Sequence, residues 1–164
     1  MELAAILRWL QNTDIATAIR EGDYLFPWVE SVHVLAITLV VGTISIVDLR
    51  LLGLASRDRP VGLLSRSVLI CTWSAFALAV VTGSLLFASK AIAYSGNFFF
   101  RGKMLLLVLA GLNMVLFHAF AGRNMQQWRL KDEPPLAARM AGGISLVLWI
   151  CIVGFGRWIG FTLH

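Results

Sequence analysis

Charge is what this chain has least of: 14% of its 164 residues are Asp, Glu, Lys or Arg, against 59% hydrophobic. A water-soluble domain carries about 25% charged residues, so too little polar surface is present to wrap an apolar core. That scarcity excludes a soluble enzyme and a disordered chain, and a mean hydropathy of +0.80 points to a membrane protein. Cysteine is also sparse. Cys71 and Cys151 lie inside apolar runs without CxxC or Cys/His zinc spacing, which excludes a disulfide scaffold or zinc module and reads as two small buried hydrophobes. No Ser/His/Asp set, Gly-rich phosphate loop or HExxH motif appears, so no reaction is written in the motifs. Glu30-Ser-Val-His33 has the ExxH spacing of di-iron bundles, but the second ExxH is missing. Met1–Leu10 has Glu2, no basic n-region and no small-residue cleavage site, so the first span is expected to direct insertion.

What is present is a set of uncharged runs near the ~20 residues that a helix needs to cross a bilayer. Ser67–Ser89 and Met104–Gly122 are free of charge, and Met140–Gly156 is extended by Trp158–Leu163 with Arg157 able to snorkel. The first run, Val34–Val47, is too short alone, so its span must carry Glu30 and His33 or Asp48 and Arg50 into the membrane. Phe26-Pro27-Trp28 supplies aromatics and a first-turn proline at its start. The spacing predicts spans over about residues 26–52, 67–89, 104–122 and 140–161. Residues 1–22 are expected along the interface, with Thr13-Asp14 capping a second short helix. Gln126–Ala138, with Pro134-Pro135, reads as a connector within a single domain over residues 1–164. The expected fold is therefore all-α: an up-down-up-down membrane bundle of four helices preceded by an amphipathic interfacial helix.

Orientation follows from the basic residues. Arg50, Arg57, Arg59, Arg66, Arg123, Arg129, Lys131 and Arg139 fall on one side, while Arg8, Arg20, Lys90, Arg101, Lys103 and Arg157 fall on the other with most of the acidic residues. The more basic side is normally cytoplasmic, which places both termini in the periplasm of a bacterial inner membrane. Because the basic residues are split between two membrane faces, nucleic acid is not an expected partner despite the net charge of +5. The expected partners are the lipid bilayer and a membrane protein or second copy of the chain.

Ionisable groups within a bilayer cost about 2.5–3.5 kcal/mol each and so usually face the bundle interior. Helical rotation puts Glu30, His33 and Asp48 on one stripe of the first helix, about 27 Å long. Counting depth from Asp23 and Lys103 makes His33 level with Asn113 and brings His118 toward Asp48 or Arg50, leaving Glu30 to pair with Lys103 or Arg157. Three roles stay open for His33 and His118: ligands of a haem b, structural hydrogen-bonding groups, or part of a proton, quinone or metal-ion site. Haem ligation by both requires depths agreeing within about one turn, roughly 5 Å, whereas the count offsets them by about 7 Å. Trp9, Trp28, Trp73, Trp128, Trp149 and Trp158 read mostly as interfacial anchors, and Thr82-Gly83-Ser84, Gly142-Gly143 and Gly156-Arg-Trp-Ile-Gly160 as places of close helix approach.

The runs Trp28-Val-Glu-Ser-Val-His-Val-Leu-Ala, Val47-Asp-Leu-Arg-Leu-Leu-Gly, Phe100-Arg-Gly-Lys-Met, Gly111-Leu-Asn, Phe117-His and Gly156-Arg-Trp-Ile resemble a family of small bacterial four-helix membrane proteins known only as a domain of unknown function. The resemblance covers nearly the whole chain and implies no activity, substrate or cofactor. The layout is more distantly similar to cytochrome b-like and copper-resistance membrane proteins, although the four histidines of a two-haem cytochrome b are missing. Two functions follow as expectations. The first is a non-catalytic anchor or accessory subunit of a redox or transport assembly. The alternative is a small electron- or proton-transfer protein holding haem b or quinone through His33, His118 or both. On either reading Glu30, Asp48, Arg50, Lys103, Asn113 and Arg157 are expected to form an intramembrane polar network.

Overall fold

The computed structural model describes residues 2–54, 61–121 and 135–163, and it contains helices and turns throughout. Two short helices, α1 (Glu2–Gln11) and α2 (Asp14–Glu21), precede α3 (Leu25–Leu51) and α4 (Val61–Ser89). A six-residue helix, α5 (Ala91–Gly96), leads into α6 (Phe98–Leu116), which ends in a π-helical turn at Phe117–Ala121, and α7 (Leu136–Thr162) follows. Four segments are long and apolar enough to cross a membrane: Leu25–Leu51, Val68–Ser89, Phe98–Phe120 and Leu136–Thr162. In lipid every backbone group must be paired internally, and a helix does this within one segment. Large side chains such as Leu35, Val81, Val108 and Ile150 remain exposed on the bundle, as lipid-facing positions do.

The spans alternate in direction. His33 meets Thr82 at 2.9 Å and Thr43 meets Thr72 at 2.8 Å, a matched step of ten residues along α3 and back along α4 that fixes their antiparallel register. Asn113 on α6 donates to the Ala141 carbonyl of α7 at 3.0 Å, while Phe99 near the start of α6 packs on Phe155 near the end of α7. Gly142 brings α7 against α3: a Cβ there would stand 3.0 Å from both the Asp48 carbonyl oxygen and Leu51 Cβ. The helices are thus arranged in the order α4, α3, α7, α6. Between α4 and α6 no extended backbone packing occurs among the described residues, and a Phe87–Phe100 stack at 5.2 Å spans that seam at the α5 end.

Several helix ends lie beyond the uncharged runs. The third spanning helix starts at Phe98, six residues before Met104, because the Asn97 side chain accepts from the backbone N–H groups of Phe99 and Phe100 and caps it. Arg101 is exposed in its first turn, and Arg139 is likewise exposed in the first turn of α7, so a charge there does not end the helix. The N-terminal segment is a pair of helices, but Thr13 does not cap α2 through its side chain; its hydroxyl donates back to Leu10 O. Arg20 holds this pair in place by donating to the Gln11 carbonyl at the end of α1 and the Ser89 carbonyl at the end of α4. Ala16 and Ile19 are buried as α2 packs on α4. The expected connector Gln126–Ala138 and Trp128 lie outside the described residues up to Pro134, and α7 has already begun by Leu136. Cys71 is exposed rather than buried, and Trp149 sits at mid-helix on α7, away from either interface.

Candidate functional site

The polar residues of the spans form two groups at opposite ends of the bundle. At the α5 end, half-buried His33 projects from α3 onto α4, where Gly83 makes room for it: a Cβ at Gly83 would stand 2.9 Å from His33 Cε1. His33 Nδ1 lies 2.9 Å from Thr82 Oγ1, and the same hydroxyl is 2.7 Å from the Leu78 carbonyl. The one Thr82 proton is shared between two neighbours, the Leu78 carbonyl and the ring nitrogen; when it is directed at Leu78, His33 donates from Nδ1 and keeps the lone pair on Nε2. The sequence marks Thr82-Gly83 as a place of close approach but does not identify the imidazole as what approaches.

Lys103 completes this group. It reaches inward from the second turn of α6, is half-buried, and lies within electrostatic range of the His33 ring. Gly156 on α7 flanks its chain, with a Cβ there standing 3.7–3.8 Å from Lys103 Nζ, Cδ and Cε. Among the described residues no hydrogen-bond acceptor or carboxylate pairs with its Nζ. This corrects the expected pairing with Glu30, which is exposed and acts on Tyr94 instead. Arg157 is also exposed and stacks on the Phe161 ring at 5.0 Å, leaving it apart from Glu30. Gly156 is therefore a seat for Lys103, while Gly160, its partner in the GxxxG, has nothing within 4 Å.

Above His33 and Lys103, Phe87, Tyr94 and Phe100 make a three-ring cluster with centroids 5.2–6.2 Å apart. Tyr94 lies on α5, outside the spans, where burial first and the Glu30 charge second push its phenol above the ordinary value of 10.0. A second aromatic group, Phe98, Phe99, Phe155 and Trp158, packs on the other side of α6.

The opposite end holds Asp48, Arg50, Asn113 and His118. Asp48 is 4% exposed and faces the Ser145 hydroxyl, while its Oδ2 has no hydrogen-bond partner among the described residues. Arg50 is half-buried two residues on. Asn113 lies at this level, bound to Ala141 beside Gly142, and does not meet His33. The depth count errs by taking Lys103 as a boundary. Lys103 lies inside the bundle within electrostatic range of the His33 ring, and Asn113, ten residues further on, is about 15 Å deeper than Lys103. His118, fifteen residues beyond Lys103, is about 22 Å deeper by the same rise. It is exposed in the π-helical turn and donates from Nδ1 to the Met114 carbonyl at 2.8 Å.

One iron cannot take both imidazoles across that separation, and the structure instead seats His33 on Thr82, with Lys103 within electrostatic range. Among the described residues no group of three or more His, Cys, Asp or Glu side chains is placed to hold a metal ion. With His33 protonated at Nδ1, the α5-end site can offer Lys103 Nζ as a donor and His33 Nε2 as an acceptor, a pair suited to an oxygen that is a carbonyl in one state and a hydroxyl in another.

No curated protein and no solved structure matches the chain, and the resemblance to cytochrome b-like proteins is accordingly not supported by any match. Residues 18–162 match the sequence profile of DUF6644, a family of unknown function, and with its four membrane-length helices this chain belongs to that family.

Proposed function

We propose that the protein receives the oxygen-bearing headgroup of a quinone-class lipid at His33 and Lys103 in the membrane. The observation that carries this reading is Lys103: a half-buried amine within electrostatic range of an imidazole, with no acceptor among the described residues. Burial of such a group costs energy unless something accepts its hydrogens. A quinone carbonyl would accept from Lys103 Nζ, and the hydroxyl of the reduced form would donate to His33 Nε2, which could hold its proton. Thr82 and Gly83 fix the ring for that exchange.

The test is titration of the protein in lipid nanodiscs with a short-chain ubiquinone analogue, read by tryptophan fluorescence. Saturable binding is expected, weakened about tenfold or more, ~1.4 kcal/mol, by Lys103→Met and by His33→Ala. Gly111→Ala, with open space around its Cβ, serves as the control and should bind normally. Binding that does not saturate, or that survives Lys103→Met, would overturn the reading. So would a Soret band lost in His33→Ala, which would assign the histidine to haem.

A second reading rests on α6, which has no buried residue along its length. Such a helix presents an unpartnered flank, as an anchor or accessory subunit of a larger assembly would. Cysteines placed at exposed Val108 and Val115 should then crosslink to a neighbouring protein in intact membranes, and lipid-only labelling at both would remove this role.

A further inference from the structure

Where α1 lies against α5, a groove of about 750 Å³ opens at the bundle's α5 end, away from His33 and Lys103. Its walls are apolar, with Leu3 and Leu7 from α1 and Ile92 from α5, and Ser95 lies at its edge. Two guanidinium groups border it, Arg8 in the last turn of α1 and Arg101 in the first turn of α6. Both are exposed, and neither is paired with a carboxylate among the described residues. Arg101 stands one turn inside the start of a membrane-length helix, at the depth where headgroups meet hydrocarbon.

We infer that this groove is a binding site for an anionic phospholipid, its phosphate held between Arg8 and Arg101 and an acyl chain laid along Leu3, Leu7 and Ile92. Two observations fix this class of occupant. Charge complementarity demands an anion, because guanidinium groups pair most strongly with phosphate or carboxylate oxygens. The apolar wall demands that the anion carry hydrocarbon, which an inorganic ion does not. The volume is within the range of small-molecule sites, and the open side suits a ligand whose remaining chain stays in the bilayer. α1 itself supports the assignment: Leu3, Ile6 and Trp9 are exposed apolar side chains on a helix with no buried residue, as expected of an element seated in the interface. Bound lipid would bridge α1 to α6, two elements otherwise joined through α5.

Native mass spectrometry of the full-length protein, titrated in detergent with phosphatidylglycerol or phosphatidylcholine of matched chains, tests this. A preference for phosphatidylglycerol of roughly tenfold is expected, because its net negative charge is attracted by both arginines and the zwitterionic headgroup is not. Arg8→Gln with Arg101→Gln should abolish the preference, while Arg139→Gln, exposed on the first turn of α7, should leave it intact. Leu7→Gln should weaken retention of both lipids, which a purely electrostatic surface would not show. The inference fails if the double variant keeps the preference, if Arg139→Gln removes it equally, or if inorganic phosphate at matched concentration displaces the lipid. Unchanged melting temperatures in the variants are expected in the absence of lipid, and a collapse there would assign the arginines to the fold and also overturn it.

Discussion

His33 Nδ1 lies 2.9 Å from the Thr82 hydroxyl, which is also 2.7 Å from Leu78 O. The bond crosses from α3 to α4. Replacing Thr82 with Val should leave the partly buried Nδ1 without its partner and cost about 1–3 kcal/mol in detergent unfolding. Thr82→Ser should recover most of that loss. Equal stability for the valine and serine variants would show that the bond contributes nothing.

Gly83 should tolerate little. A methyl group there would stand only 2.9 Å from His33 Cε1, so Gly83→Val forces the ring off Thr82 and is expected to cost about 1–3 kcal/mol through overpacking. Gly111→Ala, which meets nothing within 4 Å, should be neutral or gain up to ~1 kcal/mol of helix propensity. Thermal unfolding of the two variants side by side distinguishes packing at His33 from a general effect of losing glycine.

Asn113→Leu removes the one side-chain hydrogen bond that a residue of α6 makes to α7 among the described residues. Interhelical bonds of this kind average about 0.6 kcal/mol in a bilayer and reach ~1.7. A loss in that range is expected by steric-trap or denaturant unfolding in bicelles, and a stabilised variant would show that leucine packing outweighs the bond.

Tyr94 predicts a pH effect at the alkaline edge. Its phenol is raised in the folded protein, so the fold favours the neutral form, and the corresponding stability is complete below pH 10 and lost as pH rises through the folded value. In Tyr24→Phe, which leaves Tyr94 as the only tyrosine, the phenolate absorbance should develop with a midpoint above 10.0. A midpoint at or below that value would contradict its burial.

Glu30 and Arg157 should behave independently. Each has another neighbour, Tyr94 and Phe161 respectively, so the double alanine variant should match the sum of the singles within about 0.3–0.5 kcal/mol. A larger coupling energy would restore the ion pair expected from the sequence.

The four spans were legible because their composition leaves a helix no alternative in lipid, and alternating direction follows from short connections. Less legible were the helix ends, since Arg101 and Arg139 occupy first turns that project past the hydrocarbon. That error propagated into the site. Lys103 lies inside the bundle rather than at its boundary, so a count that starts from it gives every later residue of α6 too shallow a depth and places Asn113 opposite His33. Gly102 carried no signal at all: it makes room for the Phe155 ring, yet a lone glycine does not reveal what approaches it. Cys71 shows the converse limit, as apolar sequence surroundings do not distinguish a core position from a lipid-facing one.

The sparse packing between α4 and α6 has a kinetic meaning for the quinone-class headgroup proposed at Lys103. A molecule dissolved in the hydrocarbon could diffuse in sideways between the two helices, beneath the Phe87–Phe100 stack, without first shedding a shell of water. Its rate of arrival would then scale with its partition coefficient rather than with its aqueous concentration, so that chain length, remote from any polar contact, would govern how often the site is visited.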